Sequence, residues 1–270
     1  MRATIIIDNI SKNELISEWG LAVFIEYEGQ KVLLDTGATG EFVKNAKALG
    51  IDLEEVSYGV LSHAHFDHSD GLADFFECNQ KASFYLREGA KENCYDKIFF
   101  FHKYIGIHKG FLEKYKERIS YVSGDYRLFP GVSLLPHKTP GLEQIGKKAK
   151  MYQKAGRRWI PDNFNHEQSL VFETEKGLVI FNSCSHGGVD NIITEVAMTY
   201  PGKNIYALIG GFHLYATPID EVRKLANRIK ATGIQKVITG HCTGKRAYQI
   251  LKDELGDAVE QMYTGMVIEI

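Results

Sequence analysis

Apolar positions along the chain fall into two kinds of run, and their order predicts the layout of the fold. Short strand-like runs come first: residues 3–7, then 21–27 and 31–34 on either side of a Glu28-Gly29 turn, which reads as a hairpin. Asp35-Thr36-Gly37 closes the last of these. From residue 41 the period changes. Phe42, Val43, Ala46 and Leu49 fall on one helical face, and Gly50 stops the helix. A buried strand over 56–61 follows, then a helix over 69–76 with Asp67, Ser69 or Asp70 near its N-terminus, and a strand over 82–86.

The middle of the chain is less regular. Residues 89–121 are aromatic and basic, with helix predicted around 111–118, and a hairpin pairs 127–129 with 132–135 across Pro130-Gly131. Residues 141–158 carry Lys147, Lys148, Lys150, Lys154, Arg157 and Arg158 with little periodicity. That pattern reads as a solvated loop or, between scaffold strands, as a lid or anion-binding loop. Regularity then returns: strands at 169–173 and 178–182, a helix after Asp190, a strand at 204–209, a helix at 219–231, a strand at 236–239, a helix at 245–255 and a last strand at 266–270. This is an α/β pattern with two sheet-containing halves and no visible sequence repeat between them. The expected organisation is one domain over 1–270, with lid or small-subdomain elements inserted at about 89–165.

Composition narrows the classes. The 270 residues are 44% hydrophobic and 24% charged, with a formal net charge of −2, which argues against general affinity for nucleic acid or membranes. The opening apolar run has the length of a strand, and no signal peptide or transmembrane helix is read. Cys78, Cys94, Cys184 and Cys242 form no CxxC pair, as expected of reduced thiols in a cytoplasmic protein. None of this indicates an oligomeric state.

The candidate chemistry is concentrated between residues 63 and 68, where His63, His65, Asp67 and His68 place four potential metal ligands within six residues. Imidazole and carboxylate together suit zinc, iron or manganese. A histidine-rich solvated loop is the alternative, but a buried cluster of this kind would be costly without a cation. Lying between a predicted strand and a predicted helix, these side chains can converge on one point. Three more histidines end strands: His186 in Asn-Ser-Cys-Ser-His-Gly-Gly, His213 in Gly-Gly-Phe-His-Leu and His241 in Thr-Gly-His-Cys-Thr-Gly. In α/β sheets, ligands collect outside the carboxyl ends of strands. Any one of the three alone would be read as a core histidine; together with the 63–68 run they point to a metal centre. Cys184 and Cys242, beside two of them, read as small buried strand-end residues rather than ligands or nucleophiles.

These motifs resemble the metallo-β-lactamase-fold superfamily over most of the chain. The resemblance implies an αββα four-layer sandwich with its metal site at the sheet edges. It implies that Asp35 orients ligands by hydrogen bonds. It also implies that His63, His65 and His186 surround one divalent ion and that Asp67, His68 and His241 surround a second. One or two ions per chain are therefore expected, zinc first, with iron or manganese as alternatives. Within the superfamily, the motifs around His186, His213 and His241 are most similar to the branch that includes archaeal dihydropterin–aminobenzene ribofuranoside-phosphate synthases. Asp162-Asn-Phe-Asn-His166-Glu167-Gln168 resembles that branch too, so Asp162, His166 and Glu167 are expected either to support ligands or to face substrate. One departure stands out: Gly210-Gly211 occupies the strand end where an aspartate ordinarily bridges two metals. A mononuclear site, a bridging hydroxide or substrate phosphate, or a substitute ligand would each answer that gap. His213 is the candidate substitute, although a substrate-contacting or proton-transfer role is favoured for it.

The chemistry expected follows from the metal. An ion held by neutral imidazoles is a Lewis acid that lowers the pKa of bound water to ~7. Asp67 would ligate it and orient that water, with His213 as acid or oxyanion donor. Alternatively the metals stabilise a departing pyrophosphate. The basic segment suits a small phosphorylated substrate. Three readings result: a hydrolase or bond-forming transferase on such a substrate; a phosphodiesterase or nuclease, which the near-neutral charge does not favour; and a non-catalytic di-iron redox-sensing module.

Overall fold

The structure, a computed structural model, describes residues 1–12 and 14–270. Two seven-stranded sheets carry the fold. In spatial order the first is Val267–Glu269, Arg2–Ile7, Ala22–Tyr27, Gln30–Leu34, Tyr58–Val60, Phe84–Arg87 and Ile119–Val122. The second is Val259–Gln261, Lys236–Gly240, Ile205–Gly211, Gly177–Phe181, Gln168–Thr174, Val132–Pro136 and Tyr126–Phe129.

Period-two alternation decides which side chains go where. Val23, Ile25, Val32 and Leu34 of the first sheet meet Leu170, Phe172, Val179, Phe181 and Ile238 of the second in a shared inner core. Their neighbours Phe24 and Leu33 turn outward, onto Phe42 and Ala46 of the helix Glu41–Ala48 and Leu72 and Phe75 of the helix Leu72–Cys78. On the far side, Ile180, Leu208 and Val237 pack on Ile192 and Val196 of Val189–Thr199, Val222 and Ile229 of Ile219–Ala231, and Leu251 of Lys245–Leu255. The result is helix, sheet, sheet, helix: the expected αββα sandwich.

Strand direction places the site. Gln30–Leu34 and Tyr58–Val60 run parallel, as do Gly177–Phe181, Ile205–Gly211 and Lys236–Gly240. The segments that leave their carboxyl ends carry Asp35, His63, His186, His213 and His241. Arg2–Ile7 runs in the same sense as Gln30–Leu34, since each is antiparallel to the strand between them, so Asp8 comes out at that edge as well.

Two expectations need correction. The helix predicted from residue 69 begins earlier, as the short turn Phe66–Ser69, so Asp67 and His68 lie in helix rather than on the preceding loop. That turn ends early because its carbonyls are taken from outside: Leu21 N–H donates to Asp67 O, and both Thr36 N–H and Thr36 Oγ1 donate to His68 O. The stretch read as an irregular basic loop is also ordered. It forms the helix Leu142–Ala149 and the strands Met151–Ala155 and Arg158–Pro161, which join Tyr95–Ile98 and Phe101–Tyr104 in a four-stranded sheet of their own. Leu142 and Met151 are its buried apolar anchors, packed with Phe164, and so few anchors leave periodicity weak there. The intervening strands from Ile119 to Pro136 return to the two main sheets.

Candidate metal centre

Asp35 organises the first-sheet side. Its backbone sits at φ +60, uncommon for a non-glycine residue, and its side chain is wholly buried. Oδ1 accepts the Ser62 N–H at 2.7 Å. Oδ2 accepts from Ser62 Oγ at 2.7 Å, Ser183 Oγ at 2.6 Å and His68 Nδ1 at 2.8 Å. Since a carboxylate only accepts, His68 carries its proton on Nδ1 and presents the Nε2 lone pair. The single Ser62 hydroxyl proton is directed to Asp35, so the 2.8 Å contact with His63 Nδ1 is donated by the imidazole. His63 thus also presents Nε2.

Those lone pairs converge. His63 Nε2 and His186 Nε2 stand 3.3 Å apart. Two nitrogens bonded at about 2.0–2.1 Å to one tetrahedral ion would be about 3.3–3.4 Å apart. The donor atoms of His63, His65 and His186 lie within 4.8 Å of one another, as do those of Asp67, His68 and His241. Buried His65 Nε2 and both ring nitrogens of His241 have no hydrogen-bond partner among the described residues, although His241 Nε2 is 3.6 Å from Asp67 Oδ2. Burial first, then mutual crowding of the imidazoles, holds His63 and His186 well below the ordinary histidine value and His65 down at about 3. At neutral pH these three rings are neutral donors. Burial would raise the Asp67 carboxyl, but His68 and His241 overcome it and hold it well below the usual range. The neutral imidazoles of His63, His65 and His186, buried and short of partners, form a donor set that fits a divalent cation. In the second triad burial would lower His241, but Cys242, Asp67 and Asp8 lift it to about 9, so that ring gives up a proton when an ion binds.

Supporting residues lie behind the donors. His166 Nδ1 accepts the Ala64 N–H at 3.2 Å, between His63 and His65, while Nε2 faces Asp162 Oδ2 at 3.1 Å. Asp162 also receives Gln153 Nε2 and the Phe164 N–H, each at 2.8 Å. Its burial is offset by His166, which keeps the carboxyl at about 2. Glu167 Oε2 accepts the His186 N–H at 3.0 Å. All three are buried: Asp162 and His166 face each other, His166 and Glu167 each accept a backbone N–H, and Glu167 Oε1 lies 3.2 Å from His137 Nε2.

Other participants carried no sequence signal. Asp8 Oδ1 lies 3.8 Å from His241 Nδ1, and burial lifts its carboxyl to about 7. His137 sits between Glu195 Oε2 at 3.0 Å and Glu167 Oε1 at 3.2 Å. Each is a single residue without a spacing partner, so only burial and proximity reveal it.

His213 is half-buried at φ +48 with its ring 4.5 Å from His186. It belongs to neither donor triad and lines a cavity of ≈ 120 Å³ together with His65, Asp67, His186, Trp19 and Tyr215. From the basic segment, the cavity wall receives Ala149 and Met151, while the six lysines and arginines are exposed.

A fold of two packed sheets with histidine-rich loops at one edge defines a class of metal-site protein, and comparison with known proteins names it. Residues 20–187 match the metallo-beta-lactamase superfamily. The chain belongs to that superfamily. It is 30% identical to the 7,8-dihydropterin-6-methyl-4-(beta-D-ribofuranosyl)-aminobenzene-5'-phosphate synthase of Methanocaldococcus jannaschii, over 94% of this chain and 90% of that one. A solved metal-dependent hydrolase of the beta-lactamase superfamily, also 30% identical, superposes with a TM-score of 0.86 over 100% of this chain and 99% of its own. An N-acyl homoserine lactonase from Bacillus sp. is 26% identical over 64% of this chain and 67% of its own.

Proposed function

We propose that the chain is a metal-dependent enzyme acting on a small phosphorylated substrate, and that the reaction is a bond-forming transfer of the synthase kind. The observation that carries the metal-dependent part is the meeting of two donor triads, one from each side of the His63–His68 run, at a cavity between the sheet edges. The transfer reading is supported by likeness to the archaeal synthase along almost the whole chain. Hydrolysis is the second reading, favoured by the equally similar full-length hydrolase structure.

When bound, a divalent ion supplies Lewis acidity to the substrate's phosphate or leaving group. The chain's own groups do the rest. Asp35, Glu167 and His166 fix the donor rings and loops. His213, with Nδ1 unbonded among the described residues, is placed to give or take a proton at the cavity wall. Trp19 and Tyr215, partly exposed at that wall, offer ring faces to a heterocycle.

The test combines composition with chemistry. Protein purified without added metal is analysed for bound elements, then offered 4-(β-D-ribofuranosyl)aminobenzene 5'-phosphate with a diphosphate-activated 6-hydroxymethyl-7,8-dihydropterin, and mass spectrometry follows the joined product. Joined product supports transfer; water-cleaved substrate alone supports the hydrolase. His65→Ala and His186→Ala are expected to fold, to lose metal and to lose turnover at least 100-fold. Unchanged metal stoichiometry in both would sink the assignment.

A further inference from the structure

We propose that Cys184 and Cys242 are thiolate ligands at the second metal position, supplying the anionic donors that the Gly210-Gly211 strand end lacks. The inference rests on the metal-dependent reading above, since the ion concerned is the one Asp67, His68 and His241 would share. Cys184 leaves the strand Gly177–Phe181, and Cys242 directly follows His241. Both are 2% exposed, and their sulfurs are 3.3 Å apart.

Cys184 Sγ is also 3.3 Å from His68 Nε2. With metal–sulfur bonds of about 2.3 Å and metal–nitrogen bonds of about 2.0–2.1 Å, a sulfur and a nitrogen on one tetrahedral ion lie about 3.5 Å apart. The donor atoms of His63, His68 and Cys184 fall within 4.8 Å of one another, and so do those of Cys184, His241 and Cys242. Cys184 therefore belongs at once to a group reaching the first triad and to a group reaching the second. A bridging anion would occupy that place.

The glycines explain why sulfur stands there. A Cβ on Gly210, at φ +142, would lie 1.9 Å from Asn182 O. One on Gly211 would lie 2.5 Å from Cys242 Sγ and 2.7 Å from Ser183 O. No carboxylate-bearing residue fits at either position without moving the backbone, and the volume its side chain would enter at 211 holds the Cys242 sulfur. The missing aspartate and the cysteine pair are thus two parts of one exchange of ligands. Each thiol releases its proton on binding. Sulfur donors favour zinc, ferrous iron or cobalt over magnesium, calcium or manganese at that position.

Cobalt(II) reads this out directly, through thiolate-to-cobalt charge transfer in the near ultraviolet. Metal-free full-length protein titrated with Co²⁺ is expected to bind two equivalents and develop that band. The wild-type spectrum needs no substitution and decides first. Cys184→Ser and Cys242→Ser should each remove at least half of the band and weaken one of the two ions tenfold or more. Cys94→Ser is the control, because Cys94 groups with His65 and His166 and with no donor of the second triad, and it should leave band and stoichiometry unchanged. Cobalt bound without the band, or a band that survives both variants or disappears with Cys94→Ser, overturns the inference while leaving the metal-dependent reading intact. No cobalt bound at all would overturn that reading instead.

Discussion

Asp35 accepts four hydrogen bonds with its two oxygens, one of them from His68 Nδ1. Asparagine has the same shape but replaces one accepting oxygen with a donating NH₂, which must face a serine hydroxyl or the His68 Nδ1–H. The His68 ring then loses its fixed tautomer. Asp35→Asn is expected to weaken the ion at the Asp67, His68 and His241 position by about 10–100-fold, with less effect at the other. Competition with a chromophoric chelator measures both; equal affinities in variant and wild type would contradict the role. At this scale the sequence was legible where residues come in patterns. The histidines of the 63–68 run lie with His186 and His241 in the two donor groups, while His213 stands beside them against His186. Asp8, His137 and Glu195 were not legible, since a single acid at a strand end or on a helix face looks like any solvated residue until its burial is known.

Elements hold the loop of His186 in place through a relay that crosses the chain. The strand Val132–Pro136 delivers His137, the helix Val189–Thr199 delivers Glu195, and Glu167 leads to the His186 backbone. Gly187 lies so close that a Cβ there would stand 2.2 Å from the His137 ring. Burial alone would lower the His137 value, but the two carboxylates raise it to about 9. A histidine raised above its unfolded value of about 6.5 stabilises fully below that pH, and its contribution disappears as pH climbs through 9. Wild-type protein should therefore lose about 3 kcal/mol between pH 6.5 and 9.5 from this group. His137→Gln should be less stable at pH 6.5 and show a flatter profile above it, as urea unfolding at several pH values would reveal. A variant with the wild-type slope would remove His137 as its source. The main-sheet elements were readable because their strands are buried on both faces and read as continuous apolar runs, while their helices bury one face; Ile219–Ala231 and Lys245–Leu255 appear as predicted. The small sheet was not, because strands such as Arg158–Pro161 bury almost nothing and so carry no alternation.

At the scale of the molecule, the candidate centre is where the two sheets meet at their edge. His63, His65, Asp67 and His68 follow a strand of the first sheet, and His186 and His241 follow strands of the second. Each triad draws on both, so an ion in either position ties the sheets together where the inner core ends. The unfolded chain offers no such preassembled set. An ion that binds only the folded state stabilises it by RT ln(1 + [L]/Kd), about 3–4 kcal/mol at 100–1,000 times Kd. For a domain of this size that is about 5–15 °C in melting temperature. Removing metal with a chelator should lower the melting temperature by that amount, and returning zinc should restore it. The same chelator should leave His65→Ala much less affected, since that variant has already lost a donor from the first triad. Differential scanning calorimetry on matched samples decides the point. If wild type and His65→Ala respond identically, the ions do not join the sheets at this edge, and the stability of the sandwich comes from its three apolar layers alone.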